Sequence, residues 1–119
     1  MTQMSPEAQQ ALMTLQASQQ QIQGIIMQRD ALNVQKMEIE KALEELEKSK
    51  TDDVYKAVGP ILIKTNNKDL IKELKERQET INVRLKSLEN QEKQIKERIE
   101  AQQEKLQEFL KSSEKPSAG

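Results

Sequence analysis

Few residues in this 119-residue chain could carry chemistry, and the most concentrated are the neighbouring carboxylates Asp52 and Asp53. Carboxylate oxygens are the ligands that calcium and magnesium take, but these ions collect six or more oxygens and no further donors stand at loop spacing here. The pair reads as a solvated connector. The chain has no Cys and no His, which removes disulfides, thiol nucleophiles, zinc sites of the Cys/His kind and the usual general base near neutral pH. No glycine-rich loop offers to cradle a phosphate. Lys and Arg alternate with Glu, as in Lys72-Glu73, Lys75-Glu76-Arg77 and Lys96-Glu97-Arg98, the pattern of a salt-bridged, solvated helix face rather than a phosphate-binding stripe. One Tyr and one Phe make no platform for base stacking. The chain is expected to be no enzyme, to need no cofactor or metal and to bind no nucleic acid.

What remains is the chemistry of apolar surface, and its distribution depends on the elements that present it. Hydrophobic residues make up 34% of the chain and charged ones 33%, with a net charge of −1, so a thick core is not expected and the apolar residues must serve a narrow seam. Apolar runs of three or four residues, such as Ile61-Leu62-Ile63, fall far short of a membrane span. The N-terminus, Met1 to Glu7, has neither a basic region nor an apolar stretch, so no secretory signal is expected and a cytoplasmic location is.

Punctuation sets the layout. Prolines stand at 6, 60 and 116 and glycines at 24, 59 and 119. Ser5-Pro6-Glu7 reads as an N-cap, a first-turn proline and an acid favoured by the helix dipole, opening a helix over 5–48. A second helix is expected over 67–110, with Asp69 in its first turn, before a disordered tail over 111–119. Alternating steps of three and four along the first helix give Ala8, Ala11, Leu15, Ser18, Ile22, Ile25, Arg29, Leu32, Lys36, Ile39, Leu43 and Leu46. Along the second they give Ile71, Leu74, Gln78, Ile81, Leu85, Leu88, Glu92, Ile95, Ile99, Gln102, Leu106 and Phe109. Two such seams of equal length predict an antiparallel coiled coil, two helices of a larger bundle being the alternative. Polar Arg29, Lys36 and Glu92 within the seams would fix register, an Arg29 to Glu92 pairing being one way.

Between the helices, 54–65 is rich in β-branched types and split by Gly59-Pro60, with Gly59 suited to the positive φ that opens a type II′ turn and Pro60 to the negative φ that follows. A β-hairpin is expected. Val54, Tyr55, Val58, Ile61, Leu62 and Ile63 around that Gly59-Pro60 turn give a lone ribbon more apolar surface than it can hide, as well as two bare edges. The same hairpin from other subunits could close a barrel over it, which makes these eight residues the candidate oligomerisation site; folding back on the chain's own helices is the alternative.

The helix ends carry a second candidate surface. From Met1 to Gln28 the one ionisable side chain is Glu7, and this Gln-rich half holds Leu12, Met13, Ile26 and Met27 off the seam. Antiparallel pairing sets it beside Leu106, Phe109 and Leu110. A sticky, nearly uncharged tip with flexible Met and Leu side chains suits promiscuous recognition of apolar segments, unless those residues only widen the helix interface.

A long helix, one hairpin reading Tyr55-Lys56-Ala57-Val58-Gly59-Pro60-Ile61-Leu62-Ile63-Lys64 and a second long helix resemble the β-type subunits of archaeal prefoldins over nearly the whole chain. Lys41-Ala42-Leu43-Glu44-Glu45-Leu46 and Arg84 with Leu88-Glu89-Asn90-Gln91-Glu92 add to the similarity. The helix fragments recur in many coiled coils, whereas the hairpin motif midway between equal arms is fairly specific; α-type subunits of that family carry two hairpins. The resemblance implies a mainly α fold, a long antiparallel two-helix coiled coil whose central β-hairpin joins an oligomeric β-barrel, in a single prefoldin-like domain over 1–119. It further implies a hexamer of two α-type and four β-type subunits, an ATP-independent chaperone that holds non-native polypeptides between arm tips and passes them to a group II chaperonin. Leu12, Met13, Leu15, Leu106, Phe109 and Leu110 are then the candidate client-binding residues. A structural coiled-coil scaffold or spacer that oligomerises through its hairpin is the competing reading. Gly24, inside the first helix, is the one odd feature, costing about 1 kcal/mol relative to Ala.

Overall fold

The computed structural model describes residues 4–114. In chain order it contains α1 (Pro6–Lys48), β1 (Asp53–Val58), β2 (Ile61–Asn66) and α2 (Asn67–Glu114). These residues group into two compact units, a terminal unit over 4–28 and 88–114 and a central unit over 29–87. The terminal unit brings the early stretch of α1 together with the late stretch of α2, and the central unit the late stretch of α1 together with the early stretch of α2, the antiparallel arrangement that the matching seams predict.

The helices begin where local chemistry supplies caps. Ser5 Oγ accepts a hydrogen bond from the Ala8 N–H at 3.1 Å, satisfying one of the donors that a helix start leaves orphaned. Asn66 does the same for α2, its side-chain oxygen accepting from the Asp69 N–H at 2.8 Å, while Asp69 returns the contact by accepting from Asn66 Nδ2 at 2.7 Å. Such a reciprocal arrangement resembles a capping box. At its other end α2 continues to Glu114, one turn past the expected stop at Leu110, and so takes in the start of the stretch read as tail. Lys111 to Glu114 contain no Gly or Pro, and Lys111 stands in the last turn, where a cation complements the helix dipole. The remainder of that tail, 115–119, lies outside the described residues.

All positions of both seams are buried or half-buried. In the terminal unit the buried apolar residues are Ala8, Leu15, Ile22 and Ile25 on α1 and Leu88 and Ile95 on α2; in the central unit they are Leu32, Ile39 and Leu43 with Ile81 and Leu85. Ser18 and Glu92 are buried polar members of the terminal unit's seam. The Glu92 carboxylate lies 3.5 Å from Lys96 Nζ, one turn on, and Arg29, half-buried, has its guanidinium 3.5 Å from Asp30. Deleting a buried leucine's side chain leaves a cavity as well as losing transfer free energy, so Leu85→Ala should destabilise the helix pair by about 2–5 kcal/mol. The neighbouring Lys86 is exposed, and Lys86→Ala should change little. Thermal melts of the two variants check the register; equal shifts would contradict it.

Candidate functional site

Two surfaces follow from this fold, one on the hairpin and one on the terminal unit. The strands pair antiparallel from Asp53↔Asn66 to Val58↔Ile61, and the two-residue turn has Gly59 at φ +57°, as a type II′ turn requires of its first central residue. Paired residues share a face and successive residues alternate. One face therefore carries Val54, Lys56, Val58, Ile61, Ile63 and Thr65, the other Tyr55, Ala57, Leu62 and Lys64.

The first face is anchored at its base to the chain's own second helix. Lys56 Nζ donates to the Glu73 carboxylate on α2, and Val54, Lys56 and Thr65 are half-buried. Toward the turn that cover ends: Val58, Ile61 and Ile63 are 43%, 56% and 45% exposed. On the opposite face Tyr55 and Leu62 are 64% and 72% exposed, flanked by an Asp53 to Lys64 ion pair at 3.4 Å. Folding back on the helices thus accounts for the base of the ribbon alone. Five large apolar side chains, Tyr55, Val58, Ile61, Leu62 and Ile63, are left exposed, and among the described residues no third strand satisfies either edge.

A contact that sequence reading missed holds the root of the hairpin. The Asn67 side-chain N–H donates to the Leu46 carbonyl at 3.0 Å, and the Asn67 backbone N–H donates to the Asp52 carbonyl at 2.8 Å. One residue thereby bonds a carbonyl in the last turn of α1, which also accepts from the Ser49 N–H at 3.3 Å, and ties it to the first turn of α2. Asn67 read only as a helix-start residue, because its partners lie 21 and 15 positions away in sequence. Asp52 enters this link through its backbone, and among the described residues no group of His, Cys, Asp or Glu could hold a metal ion.

At the terminal unit the expected client-contacting residues divide. Met13 is 69% exposed; Leu12, Leu106, Phe109 and Leu110 are half-buried. Leu15 is a correction: at 7% exposure it belongs to the seam, where its 3–4 spacing from Ala8, Ile22 and Ile25 puts it, and it offers no surface to a partner. Glu7, Gln10, Ala11 and Thr14 of α1 with Gln102, Lys105 and Phe109 of α2 line an open groove of about 440 Å³. Lys105 Nζ lies 5.9 Å from the centre of the Phe109 ring, within cation–π range. The Gln102 side-chain oxygen is buried, with no hydrogen-bond partner among the described residues.

A family model described as prefoldin subunit matches residues 9–113, both helices and the whole hairpin. The chain belongs to the prefoldin family. It is 43% identical to prefoldin subunit beta of Archaeoglobus fulgidus over 122 aligned positions, covering 100% of each chain. It is 41% identical to prefoldin subunit beta of Pyrococcus furiosus over 116 positions, covering 96% of each. Among solved structures, the crystal structure of the prefoldin beta subunit from Thermococcus strain KS-1 matches with a TM-score of 0.82 at 36% identity, covering 98% of this chain and 99% of that one. The two-helix, one-hairpin layout is thus that of a prefoldin beta subunit. Among the described residues no helix is long and apolar enough to cross a membrane.

Proposed function

We propose that the chain is the β-type subunit of an ATP-independent holdase of the cytoplasm, assembling with α-type subunits as two α-type and four β-type chains. Its hairpins join a closed β-barrel, its terminal units hold non-native polypeptides through Leu12, Met13, Leu106, Phe109 and Leu110, and the held chain passes to a group II chaperonin. The observation that carries the reading is the hairpin: a two-stranded sheet with apolar side chains exposed on both faces, in a chain of the prefoldin family. A ribbon of that kind is marginal alone in water, and closure with other hairpins removes its edges and buries one of its faces. Holding without ATP fits capture by surface contact, chiefly the burial of apolar side chains.

The test mixes the chain with an α-type prefoldin subunit and follows thermal aggregation of an unrelated protein without nucleotide. Suppression by the mixture, with a native mass above that of either subunit alone, is the expected result. Assembly without suppression at several-fold molar excess would favour a structural scaffold.

A further inference from the structure

The side of α1 turned away from the seam in the terminal unit has a composition of its own. At steps of 3, 4, 3 and 4 it presents Met13, Gln16, Gln20, Gln23 and Met27, all exposed, the two methionines at 69% and 71%. This second stripe runs opposite buried Leu15, Ser18, Ile22 and Ile25. No ionisable side chain lies between Glu7 and Arg29. The α2 stretch of the same unit is the chemical opposite, with exposed Lys93, Lys96, Glu97, Arg98, Glu100 and Glu104.

We propose that the Met13–Gln16–Gln20–Gln23–Met27 stripe is a docking surface for an uncharged, extended segment of non-native polypeptide, anchored by an apolar side chain at each end. The proposal rests on the holdase reading and adds to it which face of the unit recognises a client and by what chemistry. Charge decides the occupant. Covering a Lys or Glu with an apolar segment strips water from an ion, whereas a side-chain amide is far cheaper to desolvate. Gln offers two donors and an acceptor, so it can bond the N–H and C=O groups of a backbone that has lost its own partners. Met13 and Met27 lie about 21 Å apart along the helix, the reach of roughly six extended residues, and their unbranched thioethers adapt to side chains of different shape. Gly24 stands beside the stripe, exposed and with nothing within 4 Å of where a Cβ would be, so a main chain can approach the helix closely there. That opening gives the helix-interior glycine a purpose to set against its cost.

The test uses the full-length chain, alone and assembled with an α-type subunit, and two fluorescein-labelled peptides of equal length. One is built from Leu, Met, Ser and Gly; in the other Glu replaces each Ser. Wild type should prefer the uncharged peptide, with an affinity that hardly moves between about 0.05 and 0.5 M salt. The triple variant Gln16→Lys, Gln20→Lys and Gln23→Lys keeps good helix formers throughout. It should bind the uncharged peptide about tenfold or more weakly and gain salt-sensitive binding of the acidic one. Gln94→Lys, Gln103→Lys and Gln107→Lys add the same charge to exposed positions of α2 and should leave the uncharged peptide's affinity unchanged. Equal loss in both triple variants, or none in the first, overturns the proposal. So does a changed native mass in the α1 variant, which would assign the stripe to contact between copies. If the α1 variant suppresses aggregation as wild type does while complexes trimmed at the helix ends do not, the stripe falls and the holdase reading stands. If wild type neither binds peptide nor suppresses aggregation, both fall.

Discussion

Replacing Ile61 and Ile63 together by lysine should release monomers while leaving the helices intact. Both residues lie on the same face of the hairpin as Val54 and Val58, paired across the ladder with Val58 and Lys56 respectively, and both are about half exposed in the single chain. A barrel built from several hairpins buries that face, and a lysine there would either carry its charge into an apolar interior or push the strands apart. Desolvating an unpaired ammonium costs several kcal/mol, and two per subunit repeat that cost around the ring. The Lys56 to Glu73 contact, the Asn67 clamp and the seam of the central unit do not involve either position, so helicity should persist. Light scattering checks the mass and circular dichroism the helices. An unchanged oligomer with intact helicity would show that strand edges and this face are not what holds subunits together.

Much of this architecture is legible because both helices are punctuated and periodic. Ser5-Pro6-Glu7 marks one start, Gly59-Pro60 marks the turn, and a single 3–4 walk along each helix picks out positions that are all buried or half-buried. Even the exceptions obey it: Ser18 and Glu92 are polar by type but buried by position, so spacing outweighed residue type. Local pattern fails where a partner is remote in sequence. Asn67 looks like one more polar residue at a helix start, and its bond to the Leu46 carbonyl exists only once the hairpin has turned the chain back. Lys56 sits among strand residues with nothing to announce that Glu73 will meet it. Leu15 shows the reverse difficulty. It belongs at once to an apolar helix end and to the seam, and the seam claims it, leaving Met13 two residues earlier as the exposed neighbour. The sequence signal for the proposed assembly is surplus: more apolar side chains than a two-stranded ribbon can cover.

The terminal unit should matter for holding and not for assembly. Truncation after Gln102 removes Leu106, Phe109 and Leu110, and deletion up to Leu15 removes Leu12 and Met13; together they take away both walls of the groove that Ala11, Thr14, Lys105 and Phe109 line. Neither cut reaches the hairpin or the central unit. Native mass should therefore be kept apart from the residues lost. A non-native chain is held by burying its apolar side chains, at about 25 cal/mol for each Å² removed from water, and several arms on one oligomer multiply a weak contact through effective concentration. Loss should thus be steep, with both cuts worse than either alone, because avidity falls with every arm that no longer grips. The most direct measurement is aggregation suppression, without nucleotide, by the intact and the doubly trimmed complexes at equal oligomer concentration. Capture of non-native polypeptide by the terminal units predicts strong suppression by the intact complex and little by the trimmed one; equal suppression by the two would contradict it.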